Sequence, residues 1–172
     1  MFVNLCSAIL MNCWNANYPD SFGHYRETKI TQTKHHWWWK LNHIFEHFEP
    51  LRNRMFELAI LEEDHYIIPD FLMVWRLLSK MRHDYKADLI TLGNYDERLL
   101  LKKKIDGVQL TDWWSSKHNM GLVIDRKFWD EFRSFSKEFC YHDDYNWDWT
   151  FQYLIKQSFK RSINTMMTSF PR

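Results

Sequence analysis

Glycine and proline are scarce, four of each in 172 residues, so turn signals are few and nothing reads as a linker, repeat or low-complexity tract. No glycine-rich loop of the kind that cradles phosphates is present, which leaves a P-loop or Rossmann dinucleotide site unsupported. There is no paired Cys/His spacing for structural zinc and no Gly-x-Ser-x-Gly elbow. Excess charge of either sign is also missing. The net charge of +1 gives no long-range attraction to nucleic acid or to an anionic membrane. The apolar start, Met1 to Trp14, is too short for a membrane span and is interrupted by Asn4, Ser7 and Asn12. It lacks the basic beginning of a signal peptide. Cysteine is limited to Cys6, Cys13 and Cys140, an odd number that leaves one without a mate in an oxidising compartment. Cys6 and Cys13 are close enough in sequence to bridge if the backbone allows it.

What is present is a globular composition, 45% hydrophobic and 26% charged, in a chain long enough for one domain with a core. Aromatic residues make up 18%, with 10 Trp, and composition favours the core for most of them. Lys34 to Phe48 is predicted as a helix with Trp38, Leu41, Phe45 and Phe48 on one face and Trp37 and Ile44 beside them. Glu57 to Leu61 reads as a strand. A second helix carries Phe71, Val74, Trp75, Leu78 and Met81. Ala87 to Leu92 and Met120 to Ile124 read as strands, and 94–107 as a solvated excursion. Arg126 to Phe139 reads as one helix with Phe128, Phe132, Phe135 and Phe139 in line. A last helix begins at Tyr145 or Asn146. This order predicts an α/β fold with a largely parallel sheet.

Three segments carry candidate chemistry. In Leu58 to His65, four apolar residues end in Glu62, Glu63, Asp64 and His65. A buried strand ending this way places carboxylates where ligands of open α/β sheets bind. Clustered carboxylates need a counter-charge, and a hard divalent cation such as Mg²⁺ or Mn²⁺ suits oxygen ligands. A solvated acidic loop is an equal reading of the segment alone. Gln32, Thr33, Lys34, His35 and His36 form a polar group at the predicted start of the first helix, where free N–H groups favour an anion. For this pentapeptide by itself, an ordinary polar helix start is the better reading. In 142–149, Asp143, Asp144 and Asp148 are interleaved with Tyr145, Trp147 and Trp149. Helix capping accounts for one or two of the acids. It leaves Asp148, a carboxylate beside aromatic rings, as a candidate general base.

The strings at 17–27, TQTKHHWWWKL at 31–41, LEEDHY at 61–66, KHNMGL at 117–122 and DDYNWDWT at 143–150 resemble the N-acetylglucosaminyltransferase II family, from about Asn15 to about Gln157. The resemblance implies a GT-A-like nucleotide-sugar domain. It implies an inverting transfer of GlcNAc from UDP-GlcNAc to the 2-hydroxyl of the α1,6-arm mannose of an N-glycan. Asp64 matches the family's Mn²⁺ ligand. Gln32 to His36, with Glu62 and Glu63, match donor-binding positions. Asp148 matches the catalytic base, and Asn119, Tyr145, Asn146 and Trp147 match the acceptor pocket. No nucleic-acid partner is implied.

Family features without a counterpart here are the Golgi membrane anchor of a type II protein, an N-terminal nucleotide-binding strand and a C-terminal segment supplying a metal-binding histidine. Phe135 and Ser158 stand where the family has cysteines, and Cys140 matches a family cysteine. His65, adjacent to Asp64, is expected to point elsewhere if the strand continues. The expectation is therefore one partial catalytic domain, residues 1–172, of an incomplete GT-A-like fold. The alternatives are an inactive glycan-binding fragment and a metal-dependent nuclease, the latter disfavoured by the neutral charge balance.

Overall fold

The computed structural model describes Gly23 and residues 28–95, 107–144 and 146–168. In chain order these form helix α1 (Thr28–Asn42), continued by a π turn (His43–His47), strand β1 (Glu57–Ile60), helix α2 (Phe71–Tyr85) and strands β2 (Leu89–Thr91) and β3 (Val108–Asp112). The short helix α3 (Ser115–His118), strand β4 (Leu122–Asp125) and helices α4 (Arg126–Arg133), α5 (Ser136–Tyr141) and α6 (Trp147–Gln157) follow, and strand β5 (Asn164–Thr168) comes last. The fold divides into two compact units: Met1–Asn53 with Arg133–Ser158, and Arg54–Phe132 with Phe159–Arg172.

The first unit is helical. Along α1 and its π turn the buried positions are Lys34, Trp37, Leu41 and Phe45, a spacing of three and four that keeps one stripe inward. Of the predicted face, Leu41 and Phe45 are buried, whereas Trp38 is half-buried and Phe48 is exposed. Trp37 decides the phase by stacking flat on Trp147 of α6, with centroids 4.5 Å apart and planes 2° apart. Phe139 of α5 packs on Trp37 and Trp38 at 5.8 and 4.7 Å.

The second unit is a five-stranded sheet in the order β1-β4-β2-β5-β3. The expectation of a largely parallel sheet is corrected here. β1 with β4, β4 with β2, and β3 with β5 are antiparallel; only β2 with β5 is parallel. The β1-α2-β2 crossover does set β1 and β2 in one direction, as its pattern predicts. β4 then lies between them in the opposite sense, and such an insertion leaves no signal in local periodicity. Phe71, Val74 and Leu78 of α2 pack with Ile90, Leu92, Val123 and Met166 in the core.

Two strands escaped the sequence reading. β3 is an edge strand of mixed polarity, Val-Gln-Leu-Thr-Asp. β5 is Asn-Thr-Met-Met-Thr, poor in the aliphatic residues that mark a buried strand. Its Thr165 is buried because its hydroxyl hydrogen-bonds that of Thr91 at 2.7 Å, so the polar group is satisfied inside. The predicted helix over 126–139 is two helices, α4 and α5. Its aromatic line divides: Phe128 and Phe132 stack with Phe159 at 6.0 and 6.4 Å, whereas Phe139 serves the helical unit.

One end of the sheet is tied by Arg82, near the end of α2 and buried. Its guanidinium meets Glu57 of β1 at 3.0 Å and Asp125 of β4 at 3.2 Å. It also donates to the carbonyls of Ala87 and Asp88, just ahead of β2. Trp75 and Ser79 donate to the same Glu57 carboxylate. Removing one partner from a largely buried ion pair leaves uncompensated charge. Arg82→Ala is expected to lower the unfolding free energy by about 3 kcal/mol in urea titration. Arg82→Lys should recover only part of this, because one ammonium cannot reproduce the planar fork. A loss under about 1 kcal/mol, the scale of an exposed pair, would remove Arg82 from this role.

Candidate functional site

Past Ile60 the chain stops being a strand and turns. The backbone N–H of His65 donates to the Glu62 carbonyl at 3.1 Å, and the N–H of Glu62 donates to His65 Nδ1 at 3.2 Å. This turn brings ligand atoms of Glu62, Asp64 and His65 within 4.8 Å of one another. Glu63 is exposed and outside that group. The expectation that His65 points away fails because strand alternation ends before residue 62.

The donor set suits a hard divalent cation through the oxygens of Glu62 and Asp64. With metal–oxygen bonds of about 2.1 Å, ligand atoms on one Mg²⁺ lie at most about 4.2 Å apart, so the two carboxylates could share one ion after little movement, with water filling the remaining positions. His65 fits less well as a direct ligand. Its Nδ1 accepts the Glu62 N–H, which places the proton of the neutral ring on Nε2. Its observed work is to hold the turn.

Strand directions decide what gathers around this turn. Ile60 and Thr91 both register with Leu122. The residues after β1, those after β2 and those before β4 therefore share one end of the sheet. There the N–H groups of Leu92 and Gly93 donate to the carbonyls of Gly121 and Met120 at 3.0 and 3.1 Å. Gly121 has φ +63°, and a Cβ there would come 3.1 Å from the Leu92 Cβ, so a larger residue would meet both strain and crowding. Asn119, half-buried, thus lies at the sheet end that carries Asp64. Ser115 to His118 form α3. His118 is buried, with Nδ1 accepting the Trp114 N–H at 2.9 Å.

A cavity of about 610 Å³ lies at the other end of the sheet, lined by Arg82, Asp88, Asp125, Lys127, Glu131 and Arg161 among others. Arg161 is engaged by Asp88 and Glu131, each at 2.7 Å. The acidic turn, not this cavity, carries the metal-ligating chemistry.

In the helical unit, α1 begins at Thr28. Gln32 to His36 therefore lie inside the helix, where backbone N–H groups bond within the helix. This corrects the expectation of free N–H groups at that pentapeptide. Gln32, Thr33, His35 and His36 are exposed. Lys34 is fully buried, and its ammonium donates to the carbonyls of His142 and Asp143. Sequence alone gave no sign of this inward role, since the residue's neighbours are all polar.

The turn that Lys34 holds is unusual. Asp143 has φ +27°, its carboxylate lies 3.2 Å from His142 Nε2, and the His142 ring stacks on Tyr153. Asn146 is the N-cap of α6, so neither Asp143 nor Asp144 takes that position. Asp144 and Asp148 are both buried, with Asp148 in the first turn of α6. The positive end of a helix dipole favours a carboxylate there. Trp147 points inward onto Trp37, whereas Trp149 is exposed. Asn146 is exposed, and Tyr145 lies outside the described residues. Cys140 is a free thiol; burial raises its pKa, and Lys34 partly offsets that rise. Cys6 and Cys13 lie outside the described residues.

A family profile described as N-acetylglucosaminyltransferase II (MGAT2) matches residues 3–172, further at both ends than the motifs alone. The chain is similar to human alpha-1,6-mannosyl-glycoprotein 2-beta-N-acetylglucosaminyltransferase, with 40% identity over 168 residues. That match covers 96% of this chain and 38% of the human protein. The Arabidopsis thaliana protein of the same name is 27% identical over 148 residues, covering 86% of this chain and 34% of that protein. The chain thus spans little more than a third of the length of these relatives.

Lys34→Met is expected to leave two inward carbonyls without their cation, at about 1–3 kcal/mol each. The same change removes the charge that lowers the Cys140 pKa. A raised pKa means less thiolate at pH 8, so Cys140 should alkylate more slowly than an ordinary exposed thiol, and more slowly still in Lys34→Met. Peptide-resolved mass spectrometry after timed iodoacetamide exposure reads both rates. Faster modification in a variant whose circular dichroism is unchanged would contradict the assignment.

Proposed function

This chain belongs to the N-acetylglucosaminyltransferase II family, and from that premise we propose that it forms part of an inverting GlcNAc transferase of complex N-glycan synthesis. The donor is UDP-GlcNAc. The acceptor is the 2-hydroxyl of the α1,6-arm mannose. The setting is the Golgi lumen, in a longer type II membrane protein. The observation that carries the reading is the acidic turn Glu62-Glu63-Asp64-His65, which stands at a sheet end within a chain matched by that family over nearly its whole length.

UDP-GlcNAc is α-linked and the product is β-linked, so a single in-line displacement inverts the anomeric carbon. Such a step needs a base for the acceptor hydroxyl and stabilisation of the departing diphosphate. Asp148 is the proposed base: the hydroxyl proton passes to its carboxylate as the mannose oxygen bonds to the anomeric carbon and the bond to UDP breaks. Its place in the first turn of α6 sets it beside the positive end of the helix, which favours a carboxylate. Asp64, with Glu62, would hold Mn²⁺, which neutralises charge on the leaving diphosphate when bound. Gln32, Thr33, His35 and His36, all on the outside of α1, are assigned to the donor, and Glu63 with them. Lys34 supports this group indirectly by fixing the turn before α6. Asn119, Tyr145 and Asn146 are assigned to the acceptor; Trp147, stacked on Trp37, supports the start of α6.

Asp148→Asn is expected to reduce transfer to a biantennary acceptor by about 10²–10⁴-fold, with UDP binding by calorimetry unchanged. An equal loss of UDP binding would show that Asp148 holds the donor instead of accepting the proton. Asp64→Asn is expected to give the converse, weakening UDP binding in the presence of Mn²⁺ and leaving metal-free binding as it was. Unchanged Mn²⁺ dependence would remove the acidic turn from the metal site.

A further inference from the structure

We propose a second cation site, for a borderline transition-metal dication such as Zn²⁺ or Cu²⁺, on the imidazoles of His43 and His47. Both residues lie in the π turn that ends α1, where the N–H of Phe48 reaches back five residues to the His43 carbonyl at 2.9 Å. Turns of this kind are rare, and they occur preferentially where a helix carries function. Both rings are exposed. They lie one turn apart on the same side, with centroids 6.1 Å apart and planes tilted by 34°.

That separation suits a shared ion. A zinc–nitrogen bond of about 2.0–2.1 Å puts a ring centroid about 3.2 Å from the metal, so two rings on one ion have centroids about 5.2 Å apart at the tetrahedral angle and up to about 6.4 Å when opposite, a difference that a small rotation of either exposed side chain closes. Imidazole is a preferred ligand for zinc and copper, whereas the oxygen pair of Glu62 and Asp64 suits a hard ion. The two sites therefore take different metals. Glu46, lying between the histidines in sequence, is held by Arg133 at 2.7 Å, so the chelate is two nitrogens with water completing the shell. Trp39 stacks on His43 at 5.3 Å, and His36 stacks on Trp39 at 5.9 Å. The indole thus buttresses the His43 ring and sits where a bound paramagnetic ion would quench it.

The test is calorimetric titration of the full 172-residue chain with Zn²⁺, repeated with His43→Ala, His47→Ala, the double variant and His83→Ala as an exposed control. Two linked ligands bind more tightly than either alone. Each single variant is therefore expected to weaken the site by roughly 10²-fold, the double variant to add little, and His83→Ala to match the parent. Cu²⁺ is expected to show two imidazole nitrogens in its paramagnetic resonance spectrum. It should also quench a share of the tryptophan emission that disappears in Trp39→Phe. The proposal is overturned if both single variants titrate Zn²⁺ as the parent does, or if the Cu²⁺ spectrum shows a single nitrogen.

Discussion

The sheet unit hangs on one buried cation. Arg82 joins a helix to the starts of β1 and β2 and to the end of β4 through two carboxylates and two carbonyls. These partners come from segments far apart in sequence, so a single side chain ties together the ends of three adjacent strands. A guanidinium can do this because its five N–H groups point in set directions in one plane. The backbone pairing of β1 and β2 with β4 carries that alignment along the strands to the other end. The acidic turn after β1 and the Asn119 segment before β4 therefore meet at the far end of the sheet.

The helical unit uses the same device with a different cation. Lys34 lies inside α1 and gives its ammonium to two carbonyls of the turn before α6. Above it, Trp37 lies flat on Trp147, the residue just before Asp148. The position of the candidate base thus depends on a buried lysine and an indole pair. Such support limits how far a carboxylate at the start of a helix can drift, and small misplacements of a base are costly to a reaction.

Much of the candidate site was legible before any coordinates. The acids at 62–64 stood out because a four-residue apolar run ended at them, and Asp148 stood out because capping did not account for it. The apolar face of helix α2 was legible, since Phe71, Val74 and Leu78 repeat at three and four, but the buried Arg82 that continues it was not. The inward role of Lys34 was not, because a lysine among polar neighbours looks solvated until its partners at 142 and 143 are brought to it. Nor was the part His65 plays in the acidic turn. That depended on where β1 ends, and a hydrogen bond between Glu62 and His65 settles it.

The sequence by itself determined the family, the helix–strand–helix–strand run through β2, and the residue types suited to a metal and to a base. Those properties are local, written in periodicity, composition and short strings. Tertiary structure alone decided that β4 lies antiparallel between β1 and β2, that Met- and Thr-rich β5 is a buried strand, and that the aromatic line over 126–139 serves two units. Strand pairing joins residues dozens of positions apart through backbone groups common to every residue, so no local pattern encodes it. The same reasoning applies to His43 and His47, whose spacing is visible in the sequence but whose shared exposed face is visible only in the fold.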